Sequence, residues 1–429
     1  MKKSFILFIG LTLPIMSWSQ STQVVDLNLN QVVDKVSKEN YTVYQTSLRV
    51  YQAKESITVA RMNLLPRLNL WNLASAAISI FAGGPAGAVG GGFSIVEDIA
   101  PFLVPANWFR VSQAKLFYEA DLQGYKALWA NEVLTAKALY HHILLDSGLR
   151  TQIIKSQKDL EEIYQIVKVR ETFGGYPQRV SQDIKVRLLS LDEDLRALNT
   201  LIGEEESLLA FMMGYPTGTK INVKSIEMPD YESLEHLNYE DFEFRAAEVS
   251  PEIKQFEYFI NAADYARKEV SYAFLGASSL SRGLTGGVFD NLPSQAGLGF
   301  GTAASLRIVR SQKSILKVQK QAVEETVKRT LKLLVNNYNL DVDNYNNLSK
   351  RVILSKDSMK RIYQRIQFGE NVDSIELIEA SRNLVDAETS LHSVRFRFLN
   401  SEDKLARLIF HGDYSKAKDA IERVKKESL

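Results

Sequence analysis

Residues 368–410 read FGENVDSIELIEASRNLVDAETSLHSVRFRFLNSEDKLARLIF. A Gly-containing turn opens the stretch. Behind it Leu377, Leu384, Leu391, Phe398 and Leu405 recur every seven residues, interleaved with Ala380, Ala387, Val394 and Leu408. Apolar residues held at that spacing over four heptads form the narrow seam of a coiled coil. The other reading, an amphipathic helix on a globular core, carries a broader apolar face. The same order occurs earlier: FGGYPQ at 173–178 precedes Ile184, Leu188, Leu191, Leu195, Leu198, Ile202 and Leu209, spaced mostly by four and three.

Each turn follows a long helical run. Residues 310–368 contain neither Gly nor Pro before the turn, and at about 1.5 Å per residue such a helix is roughly 85–90 Å long, too long for a compact domain. A second run covers about Phe109 to Phe173, tolerating Gly124 and Gly148. Laying one half over the other suggests a repeat. ENYTVYQTSLRVYQAKESITVARMNLLP from Glu39 falls over VSPEIKQFEYFINAADYARKEVSYAFLG from Val249 at an offset of 210, and FGGYPQRVSQDI falls over FGENVDSIELIE. Each half reads short helix, strand hairpin, long helix, turn, short helix.

The strands are expected where glycine concentrates, with six of the 23 glycines in 83–92 and seven in 276–301. In RMNLLPRLNLW, 61–71, the apolar period changes at Pro66. Leu68, Leu70, Ala74, Ala76, Ile78 and Ile80 then alternate with Arg67, Asn69, Ser75 and Ser79, a strand pattern. Pro66 blocks helix continuation and biases Leu65 toward an extended backbone, making it the helix-to-strand crossing. Leu298, Phe300, Ala304, Leu306 and Ile308 alternate in the second window, whereas Glu97 and Asp98 fall on both faces of the first return strand.

Composition bounds the function. A formal net charge of +1 and no basic run give no attraction to nucleic acid. The absence of cysteine excludes disulfides, thiolate metal sites and lipidation on an N-terminal cysteine. Lys2 and Lys3, an apolar run from Phe5 to Met16 and the small residues Ser17 and Ser19 read as a secretory signal peptide over 1–19. His141 and His142 are adjacent, so they diverge on a helix, and no HExxH, nucleophile elbow or phosphate loop is present. No enzyme, cofactor or metal site is expected.

If the chain enters a membrane it does so as strands, because the apolar window 70–105 is broken by glycine and proline. Four strands cannot close a barrel, since about eight is the minimum, but three copies give 12 with no open edge in lipid. The expected fold class is mainly α with a membrane β component. A long α-helical coiled-coil barrel, or tunnel, joins a trimeric 12-stranded β-barrel with four strands per chain and two internal repeats. The expected boundaries are 20–214 for repeat 1, with a hairpin at about 67–105, a long helix at about 109–172 and a helix at about 178–213. A linker over 215–240 leads to repeat 2 over 241–412, with a hairpin at about 272–308, a long helix at about 310–368 and a helix at about 373–411. A polar tail occupies 413–429.

This order and four stretches resemble the TolC-like outer-membrane efflux proteins. The stretches are LNLNQVVDKVSKEN at 27–40, ARMNLLPRLNL at 60–70, SPEIKQFEYFINAADYARKEV at 250–270 and the turn and coiled coil at 368–410. The resemblance implies a homotrimeric exit duct in the outer membrane, its helices extending into the periplasm, that meets a periplasmic adaptor protein and an inner-membrane transporter of an efflux or type I secretion system. It places adaptor docking at the turns of Gly174 and Gly369, and an acidic periplasmic aperture at Glu376 and Glu379. Spaced by three, these glutamates share one helix face, and three-fold symmetry makes them two rings that favour cations. The same two residues also suit a first helical turn for its dipole alone. The alternative function is an exported periplasmic coiled-coil scaffold or binding protein that has lost a conducting barrel.

Overall fold

The computed structural model of the chain describes residues 24–65, 101–228, 231, 235–272 and 301–409. A short strand β1 (Val24–Leu27) leads into helices α1 (Leu29–Glu39) and α2 (Tyr41–Met62). A 3-10 turn over Pro101–Leu103 then precedes α3 (Pro105–Thr172), α4 (Gln178–Met212) and strand β2 (Lys220–Val223). The second half holds α5 (Glu240–Val249), α6 (Pro251–Tyr272), α7 (Thr302–Gln367) and α8 (Ser374–Leu408). Helix lengths run 11, 22, 68 and 35 residues in the first half and 10, 22, 66 and 35 in the second.

Several local expectations are corrected. The helix expected at the head of each half is two helices, broken at Asn40 and Ser250. Asn40 stops α1 and accepts the first amides of α2 on its side chain, from Thr42 at 2.9 Å and Val43 at 3.0 Å, while Ser250 precedes Pro251, the first residue of α6. The last residues of the window expected for the first hairpin are a 3-10 turn and the start of α3, which Pro105 opens with its φ already helical and no N–H to satisfy. The hairpin expected over 272–308 overlaps helix at both ends, since Tyr272 closes α6 and α7 begins at Thr302. A two-residue alternation over so few positions does not exclude a helix. Here Ser305 and Val309, one turn apart, are the buried pair. The linker contains a strand that its sequence did not announce: β2 pairs in parallel with β1, Val24 opposite Lys220 and Leu27 opposite Val223. Pro66 and the remainder of both hairpins, the leader and the C-terminal tail lie outside the described residues.

Two helices run the length of the molecule, and the others divide it. At about 1.5 Å per residue, α3 spans roughly 100 Å. In one half of its length α3 packs between α2 and α6, and α6 on α7. In the other it packs between α4 and α8, and α8 on α7. The shorter helices therefore stack end to end beside the long ones, α4 below α2 and α8 below α6. At the first joint the Asn40 side-chain amide donates to the Met212 carbonyl at 3.0 Å. There Gly214, at φ +74°, approaches the Glu39 carbonyl so closely that an added Cβ would lie 2.7 Å from it. At the second joint, Arg407 pairs with Glu252 and donates to Asn131 at 2.8 Å.

The core is divided in the same way. Around the first joint, Val32, Val36, Val43, Tyr140, Ile143 and Leu209 are buried together. Near the far end, Leu160, Ile163, Ile184 and Leu191 form a second cluster between α3 and α4. Each such side chain contributes about 1.5–3 kcal/mol by leaving water. Charges cross the layer too: Glu269 of α6, 6% exposed, receives Arg110 and Gln113 of α3, both at 2.7 Å. No helix among the described residues is long and apolar enough to cross a membrane.

Candidate functional site

The far ends of α3 and α7 carry the two glycine turns, and the backbone shows why glycine stands there. Gly174 has φ +76° and Gly369 has φ +95°. At the first turn, Gly174 N donates to Glu171 O at 3.1 Å and Gly175 N to Arg170 O at 2.8 Å. At the second, Gly369 N donates to Ile366 O at 3.3 Å and Glu370 N to Arg365 O at 3.0 Å. Both turns are Schellman caps, which close a helix only with a left-handed residue at this position.

The fold brings the two tips together. Tyr176, just past the first turn, is buried, and its Oη donates to Glu370 O and accepts from Val372 N, each at 2.8 Å. One phenol thus staples the loop of the second turn to the first. Ser374 Oγ at the start of α8 donates to Asp183 of α4 at 2.7 Å, and Asp373 caps α8 by accepting from Ile375 N at 3.3 Å. Phe173 and Phe368, each last before its glycine, are both 85% exposed. The tip is a pair of turns joined by hydrogen bonds and presenting two aromatic rings.

Glu376 and Glu379 follow in the first turns of α8, both exposed. They differ in pairing. Arg365 of α7 donates to Glu376 at 2.7 Å and to Glu370 at 2.9 Å, so Glu376 is neutralised within its own chain. The sequence reading missed Tyr176, Arg365 and the two phenylalanines. The shared Phe-Gly at 173–174 and 368–369 is the signal that could have found the phenylalanines, whereas Tyr176 and Arg365 act through contacts no spacing announces.

His141 takes no part in the tip. It is buried, its Nδ1 2.8 Å from Asn400 Oδ1, and burial lowers its pKa from the usual histidine value. Among the described residues no cluster of three or more His, Asp or Glu is arranged to hold a metal ion.

Comparison with solved structures gives long matches at low identity. The Campylobacter jejuni CmeC outer membrane channel matches with TM-score 0.66 and 14% identity, over 92% of this chain and 89% of that one. The Neisseria gonorrhoeae MtrE outer membrane channel, solved in its open state, gives 0.65 and 15%, over 91% and 92%. The Vibrio cholerae outer membrane protein VceC gives 0.68 and 11%, over 89% and 95%. No protein-family model and no curated protein matches the chain.

Proposed function

We propose that this chain, which has the fold of TolC-like outer-membrane channels, is itself an exit duct. It passively conducts substrate across periplasm and outer membrane for a tripartite efflux or type I secretion system. Three copies close the helices into a tube, and the windows 66–100 and 273–300 supply four strands each chain to a 12-stranded barrel in outer-membrane lipid. The reading is non-catalytic. A periplasmic adaptor, coupled to an inner-membrane transporter, docks on the turns of Gly174 and Gly369, where Phe173 and Phe368 supply apolar contact at little ordering cost because hydrogen bonds already join the turns.

The observation that carries the reading is the placement of exposed apolar side chains. Many lie on the helices at the two ends of the packing order: Leu201, Leu208 and Phe211 of α4, with Tyr41 of α2, at one end, and Leu333 and Leu340 of α7 at the other. Unlike edges that are each apolar satisfy one another head to tail, and a rotation that closes makes a ring. The matching helix lengths of the two halves support the two-repeat organisation, which makes one chain one third of the wall.

In this reading Glu379 carries the open negative charge of the aperture, since Glu376 is paired with Arg365. Purification from the outer-membrane fraction as a heat-modifiable trimer, followed by planar-bilayer conductance, tests the duct. Glu379→Ala is expected to lower cation preference more than Glu376→Ala, and Arg365→Ala to raise it. A monomer recovered without detergent from the periplasmic fraction would replace the duct with the scaffold reading.

A further inference from the structure

A cleft of about 500 Å³ opens between α2, α3 and α6, away from the tips. Thr46, Arg49 and Ser56 of α2, Asp121 and Tyr125 of α3 and Gln255 of α6 line it. Two opposite charges face this space. Asp121 is partly buried and makes no hydrogen bond or ion pair with the described residues. Arg49, exposed at the rim, also makes none. They line one cleft without meeting each other, and an uncompensated, half-buried carboxylate is costly to keep. Burial accordingly pushes the Asp121 carboxyl up to about 6.

The remaining lining sharpens the chemistry. Thr46 Oγ1 spends its hydrogen on the Thr42 carbonyl at 2.8 Å, and Ser56 Oγ spends its own on the Ala53 carbonyl at 2.6 Å. Both hydroxyls are thereby left as acceptors. With Asp121 they form an acceptor set suited to an ammonium group, while Arg49 is the one cation of the lining and suits a carboxylate. The Gln255 amide lies against Gly124, where an added Cβ would stand 2.7 Å from its nitrogen, so glycine keeps the cleft wall open to this side chain. Beneath, Tyr125 is wholly buried and its hydroxyl has no partner among the described residues.

We propose that this cleft binds a small zwitterion bearing a primary ammonium and a carboxylate, the ammonium on Asp121 with Thr46 and Ser56, the carboxylate on Arg49. Neither charge of the ligand repeats what the cleft already satisfies internally. A cation alone would be repelled by Arg49, and an anion alone by Asp121. The site lies in the wall of the helices and is independent of the aperture and the docking turns.

A ruler of ω-amino acids tests it, using the full-length protein in detergent and isothermal titration at pH 7.5. Glycine, 4-aminobutyrate and 6-aminohexanoate are each compared with the amine and the carboxylic acid of matching length. One zwitterion is expected to bind at least tenfold tighter than both of its single-charge counterparts. Asp121→Asn is expected to erase its advantage over the acid, and Arg49→Gln its advantage over the amine. Binding should weaken as pH falls below about 6, where Asp121 takes up its proton. Equal affinity for zwitterion and amine, or no binding by any of the three, overturns the proposal. So does a preference that survives both substitutions in variants whose melting temperatures match the parent. The ruler needs no variant, so a misfolded Asp121→Asn protein leaves the test decisive.

Discussion

Gly214 answers two demands at once. Its φ of +74° favours glycine, and a Cβ there would stand 2.7 Å from the Glu39 carbonyl, a backbone atom that cannot swing aside. Gly214→Ala is expected to cost about 1–3 kcal/mol of stability, read as a lowered denaturation midpoint. Gly203→Ala, with open space around its Cβ position in the preceding helix α4, is the control. Glu205 makes a different prediction. One of its oxygens is buried without a partner among the described residues, and burial, reinforced by nearby Asp146, pushes its pKa up from 4.5 to about 7. The folded chain then holds this proton more tightly than the unfolded chain does, so its contribution to stability falls as pH rises from about 4.5 through about 7. Glu205→Gln should therefore raise the melting temperature at pH 8 and much less at pH 5. An equal gain at both would assign the effect to packing instead of ionisation.

At the scale of elements, Tyr176 makes the two turns one unit. Tyr176→Phe keeps the buried ring and removes the hydroxyl that holds both Glu370 O and Val372 N. A loss of about 1–3 kcal/mol is expected from leaving these buried groups unmatched. Hydrogen exchange should quicken at 370–373 while the middle of α8 stays protected. Helices were the legible part of the sequence. Ile184, Leu188 and Leu191, or Leu377, Ala387 and Val394, repeat over enough turns to fix both the element and its buried face. The interval 302–308 was misread because seven residues sample too few periods to separate alternation from a helix. Asn40 at the joint and Tyr176 and Arg365 at the tip were illegible, since their partners include other elements that only the packed fold brings within hydrogen-bond reach. The acidic pair Glu376 and Glu379 was legible, but the pairing of Glu376 with Arg365 was not.

For the whole molecule the decisive surface is the pair of apolar edges. Leu208 is 52% exposed and Leu340 is 58% exposed, so a charge at either position removes little from the core of a single chain. Leu208→Glu and Leu340→Glu are each expected to convert the proposed trimer to monomer, read by light scattering in detergent, with the far-ultraviolet helical signal retained. A trimer that withstands both substitutions would mean that closure does not use these edges.

The stacked pairs α4 with α2 and α8 with α6 have a mechanical consequence. An unbroken helix lying across a break in its neighbour acts as a splint. Bending at the break must bend the splint, but sliding along it costs only the contacts at the break itself. Two such breaks occur in this layer, one at Asn40 and Gly214 and the other at Arg407 and Glu252. The layer is therefore braced against buckling at both breaks, because α3 and α7 run past them unbroken, and it is weakest against sliding there.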